Sequence, residues 1–147
     1  MNAREFLDVA EELIAGMYEG HWRSGVSRAY YALFHVARIL LQGCGFLVPR
    51  ADRAHVYLSR RLMNSQHVDM IRAGTWLDDL RGLRNVADYD IDEVVSQAEA
   101  IANQETAVKA IRLLEDAVAL PTVLAQITLA MRDYERDVLR DVTWRAP

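Results

Sequence analysis

Two stretches of the chain concentrate the residue types that handle phosphates and protons. In "LRGLRNVADYD", residues 80–90, Arg81, Arg84, Asn85, Asp88 and Tyr89 gather beside an apolar face of Trp76, Leu80, Leu83 and Ala87. In "SGVSRAYYALFHVARILL" a rotation of about 100° per residue puts Ser24, Arg28, Tyr31, His35 and Arg38 on one narrow stripe. Tyr30, Phe34, Ala37 and Leu41 fall on a separate, apolar stripe. Guanidinium groups engage phosphate through a planar fork. Histidine titrates near neutrality and can move a proton. If the two polar stripes meet at one groove, they form a site for an anion. If the charges instead pair with each other, they fix helix register, with Tyr89 anchoring the following turn. Half-buried charges are costly unless paired, so either arrangement needs a partner for the arginines.

Other candidates are weaker. Of 17 basic residues all but Lys109 are arginine, and Arg50, Arg53, Arg60 and Arg61 cluster against Asp52 alone, as a solvated helix face or a phosphate-binding strip. His55 lies in that arginine-rich segment, while His21 and His67 read as helix-end residues. No two histidines have a helical spacing suited to a metal, and no HExxH pattern occurs, so no metal site and no cofactor are expected. Cys44 has no activating partner, and Gly43 and Gly45 do not make a phosphate-cradling loop. A net charge of −4 argues against a general nucleic-acid binder.

Helices must position these groups. Half of the 147 residues are apolar, there are only 3 prolines and 7 glycines, and apolar residues recur at helical spacing almost throughout. The pattern predicts helices over about 3–17, with Phe6, Val9, Leu13 and Met17 on one stripe, then 21–41, 51–63 and 68–88. A fifth starts near Asp90 or Asp92 and runs to about Leu120. Pro121 opens a sixth, which reaches about Arg140. In it Leu124, Ile127, Met131, Tyr134 and Val138 follow coiled-coil spacing, a seam for the chain's own bundle or for a partner. The expected fold is all-α: an antiparallel bundle of four to five helices over residues 1–120 and a C-terminal helical extension over 121–147. The lone cysteine, the acidic N-terminal stretch and the lack of an apolar run of about 20 residues predict a soluble cytoplasmic protein without a membrane partner.

"SRAYYALFHVARILL", followed some forty residues later by "LRGLRNVADYD" and a long helix, resembles the HEPN family (higher eukaryotes and prokaryotes nucleotide-binding domain), above all its small stand-alone prokaryotic members. The resemblance covers about residues 3–120. It implies a four- or five-helix antiparallel bundle that forms a homodimer across the motif-bearing helices. It also implies metal-independent RNase activity in many relatives and, for many small ones, a toxin role beside a minimal nucleotidyltransferase. The RNase pattern is an Arg, four to six residues, then a His. Carried onto this chain, the Arg role falls on Arg84 or Arg81, the polar helper on Asn85, and the His position on Asp88. A carboxylic acid ordinarily titrates at about 4, so Asp88 departs from the active pattern, and His35 is the group that can stand in for it.

The leading expectation is a toxin–antitoxin-like component that binds RNA, a nucleotide or a partner through Arg81, Arg84, Asn85, Asp88, Tyr89, Arg28 and Tyr31. The first alternative is a metal-independent endoribonuclease using Arg84 with His35 or Asp88. The second is a non-catalytic structural and dimerisation module.

Overall fold

The computed structural model describes residues 1–147, and every regular element is helical: α1 (Glu5–Ile14), α2 (Glu19–Gly43), α3 (Arg53–Met63), α4 (Val68–Tyr89), α5 (Gln97–Val118) and α6 (Pro121–Tyr134), which a π-helical turn (Glu135–Leu139) continues. No strand forms; a single isolated bridge joins Phe46 to Trp144. The fold is an all-α bundle, as the helical spacing predicts.

Side-chain pairings fix the helix directions. Arg4, just before α1, pairs with Glu115 near the end of α5, and Gln97 at the start of α5 donates to the Ile14 carbonyl, so α1 and α5 run antiparallel. Arg23 reaches Val86 and Ala87 while Arg84 covers Tyr30, which makes α2 and α4 antiparallel. The α2 helix is central and packs on α1, α4 and α5. Its buried face alternates small and large residues, Ala29, Ala32 and Ala37 between Tyr30, Leu33 and Leu41, which lets neighbouring backbones approach. At Gly25 the approach is close: a Cβ there would lie 2.5 Å from Ile14 Cγ1, so only glycine fits. Gly74 does the same between α4 and α3, where a Cβ would meet Leu62 Cβ at 2.8 Å.

Several boundaries and faces differ from the sequence expectations. The fifth helix begins at Gln97, not at Asp90 or Asp92. Ser96 and Glu99 form a reciprocal capping box there, a stronger start signal than an isolated aspartate. The first helix ends at Ile14 and the second starts at Glu19, so the break lies earlier than the predicted 17/21 boundary. On α1 the core face is Leu7, Ala10 and Ile14; Val9 and Met17 are exposed, and Phe6 packs against the core from its edge. On α4 the core face is Leu77, Leu80, Arg84 and Ala87, with Leu83 exposed, so the helix is rotated to carry Arg84 inward.

The C-terminal extension folds back on the bundle. The chain bends by 103° between α5 and the 121–139 segment. Ile127 and Met131 are fully buried against the main core and Leu124 packs at its edge, so this part of the seam serves its own bundle. Val138 is exposed: the π-helical turn shifts the register after Tyr134 and carries Glu135 inward instead. No single helix is long and apolar enough to cross a membrane.

Candidate arginine and tyrosine site

The turn after α4 is held by a residue that the sequence reading did not single out. Arg23 on α2 donates to the carbonyls of Val86 (3.2 Å), Ala87 (3.1 Å), Asp90 (3.0 Å) and Glu93. Its Nε donates to Glu19 at 2.8 Å, and Glu19 in turn accepts the Val95 N–H at 3.0 Å. Those bonds hold the Glu19 carboxyl below the usual range, chiefly the backbone one from Val95. Helix C-termini leave carbonyls without partners; one guanidinium here satisfies that of Ala87, adds a second donor to that of Val86, which also accepts the Asp90 N–H, and reaches two more in the following loop. The end of α4 is thereby fixed against α2.

On that platform Arg84 is 7 % exposed and sits among aromatic rings. Its Cζ lies 5.4 Å from the Tyr30 ring centre, 5.6 Å from Tyr31 and 5.9 Å from Tyr89. The nearest carboxylate is Asp88, with Nη1 to Oδ2 at 3.7 Å. The Asp88 oxygen accepts from Ser27 Oγ at 3.1 Å. Arg84 Nε is buried without a hydrogen-bond partner in the protein, and so is Arg81 Nε. A guanidinium tolerates burial when rings and ions compensate it, and here the rings do most of that.

The histidines divide differently from the sequence expectation. His55 on α3 is 8 % exposed, and its Nδ1 shares a hydrogen bond with the Tyr30 hydroxyl beneath Arg84. Burial lowers its pKa, and the positive charges of Arg84 and Arg81 lower it further, which favours neutral imidazole. Burial raises the Tyr30 hydroxyl pKa, with Arg84 and Arg81 opposing. His35 instead stacks on Phe6 at 5.2 Å and lies 6.2 Å from Tyr31. Burial and the neighbouring Arg38 lower its pKa.

The structure therefore brings Arg84, Asp88, Tyr31 and Tyr89 together, as their spacing suggests. Arg28 joins them, 5.2 Å from Tyr31, so two guanidiniums lie over one ring. Tyr89 is 77 % exposed and Asn85 is exposed, so both are open to a ligand rather than packed inside. Arg81 is partly buried beside the same cluster. Ser24 turns away and donates to the Gly20 carbonyl; Ser27 is the serine that meets Asp88. Tyr30, assigned by spacing to the apolar stripe, is part of the site. The α3 arginines do not act together: Arg61 is buried and paired with Glu135, while Arg50, Arg53 and Arg60 are exposed. No three His, Cys, Asp or Glu side chains converge as metal ligands. An apolar cleft of about 480 Å³ lies away from Arg84, between Met1–Arg4, Ile39 and Val118.

Fold and site define an all-α bundle protein with a buried arginine enclosed by tyrosines at the α2–α4 contact. The chain is 30% identical over 118 residues to "Uncharacterized protein MJ0992" of Methanocaldococcus jannaschii, across 68% of this chain and 67% of that protein. It belongs to the same family as that archaeal protein. No family model matches the chain, and no solved structure matches it.

Proposed function

We propose that the chain is a HEPN-type module that binds RNA or a nucleotide through the arginine and tyrosine site. In this reading it works as a homodimer with a nucleotidyltransferase partner in a toxin–antitoxin-like system. The observation that carries the binding reading is Arg84. A guanidinium 7 % exposed, with Nε unpartnered and its only carboxylate at 3.7 Å, is under-satisfied for a structural ion. A phosphate oxygen set against the terminal nitrogens, where the carboxylate stands at 3.7 Å, would supply a closer acceptor. Exposed Tyr89 offers a flat face on which a base can stack, and Asn85 an amide for its edge.

Fluorescence anisotropy of a labelled single-stranded RNA tests this. Arg84→Ala should weaken binding about tenfold or more, and Tyr89→Ala should cost about 1–3 kcal/mol. Unchanged affinity in both variants rejects the site. Co-purification with a minimal nucleotidyltransferase encoded next to the chain, and a dimeric mass in solution, test the assembly.

A second reading is favoured by the hydrogen bond between Tyr30 and His55. Metal-independent RNA cleavage needs a group that titrates near neutrality and a permanent cation for the charged transition state. His55 lies in the field of Arg84 and its neutral imidazole can accept a proton, whereas the stacked His35 faces Arg38 instead. Cleavage in EDTA that disappears in both His55→Ala and Arg84→Ala supports it; absence of cleavage by wild type rejects it.

A further inference from the structure

The C-terminal extension builds a second arginine-lined surface. Glu135, fully buried in the π-helical turn, accepts Arg61 Nε at 2.9 Å and Nη2 at 2.7 Å. It also accepts the backbone N–H groups of Thr143 (3.0 Å) and Trp144 (3.1 Å). One carboxylate thus neutralises the buried guanidinium of α3 and clamps the tail across the α2–α3 connection, where Leu47 N–H donates to the Thr143 carbonyl at 3.2 Å. Between α3 and this tail lies an open cleft of about 510 Å³. Arg53 and Arg60 line it, two helical turns and about 10 Å apart along α3, and neither makes an ion pair. Asp141 contributes an acceptor from the tail, and Leu47, Pro49 and Val56 supply apolar wall.

We propose that this cleft binds a phosphate ester bearing a nearby hydroxyl, with the phosphate on Arg53 and Arg60 and the hydroxyl donating to Asp141. With Arg61 cancelled by Glu135, the two free guanidiniums outweigh Asp141 and leave the cleft positive. Guanidinium forks match phosphate oxygens. Asp141 repels the phosphate group but accepts from a sugar hydroxyl held away from it; inorganic phosphate, whose own hydroxyl stays with the anion at the arginines, lacks that second contact, so the ester is preferred. Neither Arg84 nor its rings line the cleft, so this site stands apart from the one above.

Calorimetric titration of the full chain with ribose 5-phosphate and, separately, with a short single-stranded RNA tests the proposal. Both arginines are exposed, so Arg53→Ala/Arg60→Ala should keep the fold, with a melting curve as the check. Saturable binding by wild type should weaken about tenfold or more in that double variant and persist in Lys109→Ala, which removes an exposed cation outside both sites. Saturation by ribose 5-phosphate identifies a free sugar phosphate as the source; saturation by RNA alone identifies a strand's own ribose phosphates. Asp141→Asn should erase the preference for ribose 5-phosphate over inorganic phosphate, and an unchanged preference overturns the role of Asp141. Failure of both ligands to bind, or equal binding by the Arg53→Ala/Arg60→Ala protein, overturns the site.

Discussion

Arg84 Nη1 stands 3.7 Å from Asp88 Oδ2, and the same oxygen accepts from Ser27 at 3.1 Å. The pair is therefore an ion contact without a close hydrogen bond. Asp88 is committed to α2, and the guanidinium is left to the aromatic rings around it.

That separation predicts how the site responds to an apolar replacement. Arg84→Met keeps the length of the side chain, removes the desolvated charge and leaves Asp88 with Ser27 and solvent. Its melting temperature should equal or exceed that of wild type, because replacing a poorly paired buried ion by an apolar group is often neutral or stabilising. RNA affinity should still fall with the charge. A sharp drop in melting temperature with intact binding would make Arg84 a structural ion.

The buried imidazoles predict a mild acid sensitivity. The folded-state pKa values of His55 and His35 both lie below the ordinary 6.5. As pH falls through about 6.5 the unfolded chain takes up protons that the folded chain refuses, so stability is full above that value and declines below it. Thermal melts between about pH 7.5 and pH 5.5 should show the decline, and His55→Gln should reduce it. Lowered carboxylates such as Glu115 add their own loss only at more acidic pH. A wild-type protein that gains stability over this interval contradicts the assignment.

Arg23 carries a prediction about local order. Removing its guanidinium strips donors from four carbonyls and frees Glu19 from its partner. Arg23→Ala should cost about 2–4 kcal/mol in chemical denaturation. Hydrogen exchange should accelerate first at residues 90–95, and Tyr89 should lose its fixed place over Arg84. Arg23→Lys, with a point charge instead of a fork, should recover only part of the loss.

The sequence showed the bundle more readily than the site. Three- and four-residue apolar spacing located all six helices because burial needs a continuous stripe. The convergence of Arg84 with Tyr31 and Asp88 was readable because it follows from two helical stripes meeting. Its depth was not: helical spacing alone placed Leu83 inside and Arg84 beside the core, whereas three rings stabilise the reverse. The link between His55 and Tyr30 joins residues 25 positions apart on different helices and has no local signature. Ser96 and Glu99, by contrast, were legible as a capping box that Asp90 and Asp92 obscured.

The tail depends on one buried carboxylate. Glu135 binds Arg61 and two backbone N–H groups of residues 143 and 144, while Trp144 Nε1 donates to the Cys44 carbonyl at 2.8 Å and Arg132 covers its ring at 3.6 Å. Glu135→Ala leaves Arg61 buried and unpaired, which should cost about 3–5 kcal/mol. Residues 141–147 should then become accessible to limited proteolysis, and the Trp144 fluorescence should shift toward that of a solvated indole. Pairing it with Arg61→Met removes the orphaned charge and should restore much of the stability without reattaching the tail, since the Thr143 and Trp144 amides still lack their acceptor. A tail that stays protected in both variants would mean that the Trp144 contacts hold it without Glu135.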